Sequence, residues 1–187
     1  MLYADDVNTK DSTMKAYIDS WYNDKMTSYT DKLEDIIVCN DRTILDKNGW
    51  NPNGGSTSTY LSYLRFKKYD TNYSLACTNE TDRFSMSNSK AKLTYPVGLL
   101  SAPEVWLAYR GASYSTYYLK TGNYYWLASP NGFVINGVSG RCVDTSGSMN
   151  NSPSVGNAGG ARPVVSLKSG TVYASGDGSY TNPFVVE

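Results

Sequence analysis

Three cysteines are the side chains best suited to chemistry in this chain of 187 residues, and they are Cys39, Cys77 and Cys142. Cys39 and Cys77 each end a short apolar run, and a disulfide between them would close a loop of about 39 residues and add roughly 4 kcal/mol of stability. Cys142 would then be left over. Three reduced thiols in a cytosolic protein are the alternative. A composition rich in Tyr, Asn, Ser, Thr and Gly, with few charges, is typical of extracellular proteins and favours the disulfide.

Acid–base and nucleophilic catalysis find few candidate residues. The chain has no histidine, which excludes Ser–His and Cys–His pairs and a His-based zinc site. Glu104 is the acid whose position most resembles a catalytic one, but Ser101 and Glu104 also fit a capping box at a helix N-terminus. No spacing pairs two acids. We therefore expect a protein that is not an enzyme and uses no cofactor.

A calcium site is the remaining metal chemistry to consider, in the turn-rich segment 46–59. Asp46 and Asn48 alternate as calcium ligands do, but Trp50 takes the next alternate position and no acid follows at the far end of the segment. We predict no metal site here.

Charge and hydropathy limit the classes of partner. The 17 basic and 17 acidic residues balance, so no net field attracts nucleic acid or an anionic membrane. No run of 18 apolar residues predicts insertion into a bilayer, and no signal peptide begins the sequence. We expect an extracellular or cell-surface domain whose export or anchoring segment lies outside this sequence. Its 17 tyrosines suit a binding surface, although tyrosine also fills half-exposed strand positions.

The first half of the chain, residues 1–92, is predicted to be helical and rich in loops. Residues 12–24 form a helix capped by Asp11 or Ser12, and a second short helix covers residues 27–33. Residues 60–69 contain strand-like material. The apolar face of the first helix is formed by Met14, Tyr17, Ile18, Trp21 and Tyr22.

The second half, residues 93–187, is predicted to be rich in strands. A strand at 93–100 leads through the capping box into a short helix at 105–109 that ends before Gly111. Further strands are expected at 124–128, 132–136, 141–144 and 161–167, broken by turns at 130–132, 136–137 and 146–147. A final pair of strands flanks residues 176–178. The pattern indicates a single α+β domain, with two N-terminal helices packed on small antiparallel sheets.

Residues 131–159 form a polar insert between two stiff segments, 124–130 and 160–167. The insert is dominated by Gly, Ser, Asn and Val and carries only two charges, Arg141 and Asp144. Two rigid anchors that hold small polar residues are suited to presenting a binding surface, so we expect this insert to be exposed to solvent.

Several motifs resemble bacterial C-type-lectin-like domains, the group that includes the formylglycine-generating-enzyme fold and the Fibrobacter-type paralogous surface domain. The resemblance covers nearly the whole chain. It is carried by Lys15-x-x-Ile18-Asp19-x-Trp21-Tyr22, Cys39-Asn40-Asp41-Arg42, Tyr95-Pro96-Val97-Gly98-Leu99-Leu100-Ser101-Ala102-Pro103-Glu104, Tyr118-Leu119-x-Thr121-Gly122-x-x-Tyr125-Trp126-x-x-Ser129-Pro130 and Gly160-Ala161-Arg162-Pro163-Val164-Val165-Ser166-Leu167.

This resemblance implies an adhesin-like recognition module whose ligand face lies near the C-terminal strands. The same fold serves as the variable protein of diversity-generating retroelements, which would place diversified positions between 131 and 159, with Cys142 as one of them. Glu-Pro-Asn, Gln-Pro-Asp and Trp-Asn-Asp sugar motifs are absent, so calcium-bridged sugar binding is not implied. The paired reactive cysteines of formylglycine-generating enzymes are absent too.

The expected ligand is a protein or glycan on another surface, bound by aromatic and Arg side chains with Asn and Ser supplying hydrogen bonds. A structural subunit or cap of a pilus or surface layer is the alternative function, and solvated hairpins without a ligand are the alternative for the insert. The predicted ligand-binding residues are Tyr114, Tyr117, Tyr118, Asn131, Phe133, Ile135, Asn136, Arg141, Cys142, Asp144, Ser146, Ser148, Met149, Asn150, Asn151 and Asn157.

Overall fold

The structure is a computed structural model that describes residues 10–43, 60, 75–109, 117–134, 137–151, 155–179 and 181–187. The side chains at 133, 134, 137, 138 and 151 lie outside this description. The calcium-like segment at 46–59, the strand expected within 60–69 apart from Tyr60, and Gly111 also lie outside it.

The described residues form two α-helices and eleven short β-strands. The helices are α1 (Thr13–Lys25) and α2 (Ala102–Tyr109). The strands are β1 (Leu33–Glu34), β2 (Val38–Cys39), β3 (Arg83–Phe84), β4 (Gly98–Leu99), β5 (Tyr125–Val134), β6 (Gly137–Val143), β7 (Met149–Asn151), β8 (Pro163–Val164), β9 (Ser166–Leu167), β10 (Tyr173–Ser175) and β11 (Val185–Val186).

All of these strands pair antiparallel, as β5-β6-β7 and as the pairs β1–β9, β2–β3, β4–β8 and β10–β11. The prediction of an α+β protein with small antiparallel sheets is therefore confirmed. The prediction of a second N-terminal helix at 27–33 is wrong. Only Thr27–Tyr29 form a 3₁₀ turn, because this polar stretch has no apolar face to bury and Leu33 already pairs with Leu167 in a strand.

Helix α1 begins where the sequence indicates, because the Ser12 hydroxyl accepts a hydrogen bond from the Lys15 amide at 3.1 Å. Ile18 and Tyr22 are buried in the core. Tyr17 was expected on the same face, and that prediction is wrong, since 61% of its surface is exposed. Tyr17 lies one residue before Ile18 and is therefore about 100° away from it around the helix axis. The buried face of α1 consists of Lys15, Ile18 and Tyr22.

Lys15 is completely buried and forms an ion pair with Asp19 one turn later on α1. Burial raises the pKa of Asp19 above its ordinary value, although the hydrogen bond and charge of Lys15 oppose this effect. The second carboxylate oxygen of Asp19 is buried without a hydrogen bond. Among the described residues, the pair therefore leaves part of its desolvation cost uncompensated, and each charge is compensated by the other.

Helix α2 begins with the predicted capping box. The Ser101 amide donates to the Glu104 carboxylate at 2.7 Å, and the Glu104 amide donates to the Ser101 hydroxyl at 3.4 Å. Glu104 is thus engaged in satisfying the helix start, which agrees with a structural role for this acid.

Strand β5 separates two clusters of buried side chains. Successive residues of a strand point to opposite faces, so Trp126 and Ala128 pack with α1, whereas Tyr125 and Leu127 pack with α2. The predicted turn at 130–132 is wrong, because these residues continue β5. The register with β6 shifts on both sides of Pro130, which places the residue that lacks a backbone donor at an irregularity of the ladder.

The predicted disulfide between Cys39 and Cys77 is present, with the two Cα atoms 5.6 Å apart. The residues beyond each cysteine reinforce it. Arg42 Nε donates to the buried Asp82 carboxylate at 2.5 Å, and its Nη2 donates to the Thr81 carbonyl at 2.9 Å. Strands β2 and β3 pair beside this contact, so the two segments are joined covalently, by an ion pair and by backbone hydrogen bonds.

Replacing Cys39 and Cys77 together by alanine should lower the free energy of unfolding by roughly 4 kcal/mol, because the unfolded chain regains the entropy of a loop closed over 38 residues. Urea denaturation measures this difference. Cys142→Ser is the matched control, because it keeps the Cys39–Cys77 disulfide and its stability should fall on reduction as that of the parent does, whereas the double alanine variant should not respond to reduction. A double variant that is as redox-sensitive as Cys142→Ser would contradict the assignment.

Removing one partner of the ion pair in α1 should be more harmful than removing both. Asp19→Ala strands a buried ammonium and should cost about 3 kcal/mol, whereas the double variant Lys15→Met/Asp19→Leu should lie within about 1 kcal/mol of the parent or above it. Thermal or urea unfolding provides the values. Asp24→Ala, on the exposed side of the same helix, is the control, and a comparable loss there would refute the interpretation.

Candidate ligand-binding surface

The two segments predicted to anchor the site are direct neighbours. The Trp126 amide donates to the Gly160 carbonyl at 3.0 Å, and the Gly160 amide donates to the Tyr124 carbonyl at 3.1 Å. The Arg162 guanidinium lies 5.5 Å from the centre of the Tyr125 ring. Its Nη1 also donates to the Leu119 carbonyl at 2.8 Å. The stiff frame that the sequence indicates is therefore confirmed.

The insert between these anchors is not extruded to solvent as a whole. Its strand β6 is the central strand of the three-stranded sheet. Asn131, Arg141 and Cys142 are buried, and so is Tyr117 at the predicted rim. The predicted ligand contacts of these four side chains assume exposure, whereas in the structure each of them is buried.

Cys142 packs as a small apolar residue. Its exposed surface is 1%, and its thiol donates to the Asn150 carbonyl at 3.4 Å. Burial raises the pKa of the Cys142 thiol above its ordinary value, which keeps it protonated near neutral pH. Packing accounts for this cysteine, so its presence does not require a diversified surface position.

Asn131 is similarly occupied within the sheet. Its side-chain amide donates to the Ser139 hydroxyl at 2.8 Å, and Ser139 donates to the Gly132 carbonyl at 3.1 Å. These bonds satisfy the Asn131 amide group, the Ser139 hydroxyl and the Gly132 carbonyl at the irregular part of the β5–β6 ladder, while the Asn131 side-chain oxygen is buried without a hydrogen bond among the described residues. Asn131 therefore has a structural role that a polar residue in the sequence does not reveal.

The turn between β6 and β7 is fixed by one carboxylate. Asp144 accepts hydrogen bonds from the Ser146 amide at 2.8 Å, the Ser146 hydroxyl at 2.6 Å and the Ser148 amide at 3.1 Å. Gly147 adopts a φ of 91°, which the turn predicted at 146–147 requires. Partial burial raises the pKa of Asp144, but these hydrogen bonds outweigh it and hold the pKa below its ordinary value.

A row of aromatic rings connects this turn to α2. The buried Tyr117 hydroxyl donates to the Gly147 carbonyl at 2.8 Å. The Tyr117 ring meets Tyr109 edge to face at 6.0 Å, and Tyr109 lies 5.6 Å from Trp106. Tyr118 follows in the chain with 72% of its surface exposed. The row therefore places a rigid turn, two half-exposed rings and one exposed ring in one neighbourhood.

We call this neighbourhood the turn face, and it consists of Trp106, Tyr109, Tyr118, Asp144, Ser146 and Ser148. Sequence reasoning found Tyr118 and the turn residues but missed Trp106 and Tyr109, which it assigned only to a short helix. The signal that could have found them is the recurrence of aromatic residues between positions 106 and 118, three of which, Trp106, Tyr109 and Tyr117, meet in the structure.

The other predicted site residues lie in several different parts of the structure. Met149 packs against the α2 cluster, so its neighbour Asn150 is exposed on the opposite side of the sheet. Asn157 is exposed in the segment that covers Trp126, where a Cβ on Gly159 would lie 2.6 Å from the indole nitrogen. Asn157 does not join the turn face, whereas the Asn150 side chain hydrogen-bonds to the Asp144 carboxylate at its edge. Phe133 and Asn151 have side chains outside the described residues, and Tyr114, Ile135 and Asn136 lie outside them entirely.

The turn face combines aromatic and polar side chains. It offers rings, hydroxyls and a carboxylate already engaged in its own turn. Within the described part of the chain, no group of three acidic or cysteine side chains is placed to hold a metal ion. A separate shallow groove of about 480 Å³ lies between Asp35 and the Glu80–Ser89 region; it is polar, and the Asp35 carboxylate is engaged by the amides of Met86 and Ser87 at 2.9 and 3.2 Å.

Comparison with known proteins identifies no relative. No protein-family model matches the chain, and neither does any curated protein or solved structure. None of the helices among the described residues has the length and hydropathy needed to cross a bilayer.

Asp144→Asn should flatten the pH dependence of stability without removing the turn. The folded-state pKa of Asp144 lies below 3.8, so its stabilising effect is present above that value and is lost as the pH falls through it to the folded pKa. Between pH 6 and pH 2, the parent should lose more stability than Asp144→Asn. Asp144→Ala also removes the acceptor and should cost about 1 kcal/mol at pH 7. Parallel pH profiles for parent and Asp144→Asn would rule this out.

Proposed function

We propose that this protein is a surface-displayed recognition module that binds a protein or glycan ligand through the turn face. The observation that carries the proposal is Tyr118, an exposed ring held between two buried neighbours, Tyr117 and Leu119. A large side chain on a fixed backbone loses little entropy when it is covered by a ligand. Such rings supply most of the binding energy in protein interfaces.

The polar residues of the turn face add direction to this contact. Ser146 and Ser148 present hydroxyls at fixed positions, since the Asp144 carboxylate and Gly147 set the path of the turn. Aromatic rings surrounded by small hydroxyl side chains suit the mixed apolar and polar faces of sugars and of peptide surfaces. The absence of a free acid–base pair on this face favours binding over catalysis.

A C-type-lectin-like architecture and a diversified binding segment remain part of this proposal. The direct contact of the Tyr124–Trp126 segment with Gly160 supports the architecture. The burial of Arg141 and Cys142 removes them from a variable face, which leaves exposed positions such as Ser146, Asn150 and Asn157. A reverse transcriptase gene beside a near-copy of the 3′ end that differs at adenines would support diversification, and its absence would end that part alone.

The proposed location is outside the cell. A disulfide that joins Cys39 and Cys77 is compatible with an oxidising compartment, where such bonds persist. Mass spectrometry of the protein isolated from its native source, with thiols alkylated at lysis, tests this placement.

Substituting Tyr118 by alanine should weaken binding at least tenfold, because the most exposed ring of the turn face is lost. Glycan and protein arrays probed with the full chain identify a ligand, and titration with that ligand gives the dissociation constants. Tyr17→Ala is the matched control, since Tyr17 is also a highly exposed tyrosine but lies on α1. Unchanged binding by Tyr118→Ala, or an equal loss for Tyr17→Ala, would refute the assignment.

A further inference from the structure

Arg162 is a half-buried cation without an acidic partner among the described residues. None of the ion pairs of these residues includes it. Its guanidinium lies 5.5 Å from the centre of the Tyr125 ring, its Nη1 donates to the Leu119 carbonyl at 2.8 Å, and it also hydrogen-bonds to the Tyr125 hydroxyl. All of these partners are uncharged, so a full positive charge remains at a partly desolvated position, where an anion would be stabilising.

The Tyr125 hydroxyl does not supply that anion. Burial raises the pKa of this hydroxyl above its ordinary value, and the hydrogen bond and charge of Arg162 oppose the rise without reversing it. The hydroxyl is therefore protonated at neutral pH, and it donates to the Leu119 carbonyl at 2.9 Å. Because a guanidinium has more N–H donors than these acceptors occupy, Arg162 can bind a further acceptor without leaving its place.

The carbonyl that holds Arg162 belongs to the same tight turn as Tyr118. The Lys120 amide closes this turn by donating to the Tyr117 carbonyl at 3.0 Å. Tyr118 and Leu119 are its two central residues, so the guanidinium is bonded to the residue directly after the exposed ring. The turn therefore places a large aromatic surface and an unpaired cation beside each other.

The described acids of the neighbouring elements are engaged in their own local structure. Asp144 belongs to the turn face, but amides and hydroxyls of the β6–β7 turn hold its carboxylate. The Glu104 carboxylate is engaged at the start of α2. Lys120 is exposed on the same turn as Tyr118 and adds positive charge there. Charge complementarity therefore favours an anionic ligand at Arg162.

We infer that Arg162 binds the carboxylate of an acidic saccharide whose sugar ring packs on Tyr118. This inference rests on the proposed function, because it uses the same exposed ring, and it narrows the ligand to a glycan that carries a carboxylate. A pyranose offers an apolar face to an aromatic ring, and a carboxylate at its rim accepts charge-assisted hydrogen bonds from a guanidinium. An acidic peptide side chain brings the carboxylate but no rigid ring attached to it, so the combination of ring and cation favours the sugar.

A glycan array probed with the full chain tests the inference, if each uronic-acid or sialic-acid oligosaccharide is printed beside its carboxyl-reduced counterpart. The two members of a pair differ only in the carboxylate. The parent should bind acidic members and should bind their reduced counterparts about tenfold more weakly. Equal binding within the pairs, binding to neutral glycans or acidic peptides alone, or no binding to any acidic glycan overturns the inference.

Substitutions at Arg162 separate this role from packing. Arg162→Gln should weaken binding of the acidic glycan about tenfold and leave binding of the reduced glycan unchanged. Arg162→Lys keeps the charge and should retain part of the preference for the acid, which should shrink at 1 M salt. Lys120→Gln, on the same turn, is the matched control and should change binding about twofold at most.

Melting temperatures show whether the Arg162 variants fold, and if neither does, the paired array on the parent decides. Folded Arg162 variants that keep the parent's preference for the acid contradict the inference. If Tyr118→Ala still abolishes binding in that case, the proposed function stands without it.

Discussion

The burial of β5 on both faces is the constraint on which the rest of the structure depends. Its backbone is held from several sides, since the Ala128 amide donates to the Leu100 carbonyl at 2.8 Å and the Trp126 amide donates to the Gly160 carbonyl at 3.0 Å. The Ser129 hydroxyl accepts from the Ala102 amide at 2.9 Å, which fixes the start of α2 against the strand. A strand so placed must supply apolar side chains to two separate clusters, and residues 125–128 do so by simple alternation.

The turn face is a consequence of this arrangement. The described side chains of β5 and β6 are buried. Among the described residues of the insert, the exposed polar side chains therefore lie from the β6–β7 turn onwards. The Tyr117 hydroxyl bonds to Gly147 and ties that turn to the aromatic residues of α2. The position of the proposed binding surface thus depends on how two buried strands and a short helix place one tight turn.

Local signals in the sequence predicted well. The capping box at Ser101, the Ser12 cap, the Gly147 turn and the C-terminal hairpin each depend on residues within a few positions of one another, and the Cys39–Cys77 pair was indicated by similar flanking runs. Burial was predicted less well. Arg141, Asn131 and Lys15 are buried polar residues, and Asn131 and Lys15 bond to partners within the sheet or on the same helix. Composition alone assigns such residues to the surface. Pro130 suggested a break, but an irregular ladder accommodates it.

The joined segments at Cys39 and Cys77 have a consequence for how this chain can change. The two ends of this segment are joined by the disulfide and by the Arg42–Asp82 ion pair. These bonds hold residues 38–42 against residues 77–84, whatever the length of the chain between them. Doubling the length of such a closed segment costs only about 0.6 kcal/mol of entropy. A change of length there leaves this boundary in place, provided that Tyr60, whose amide donates to the Asn131 carbonyl at 3.3 Å, keeps its contact with β5.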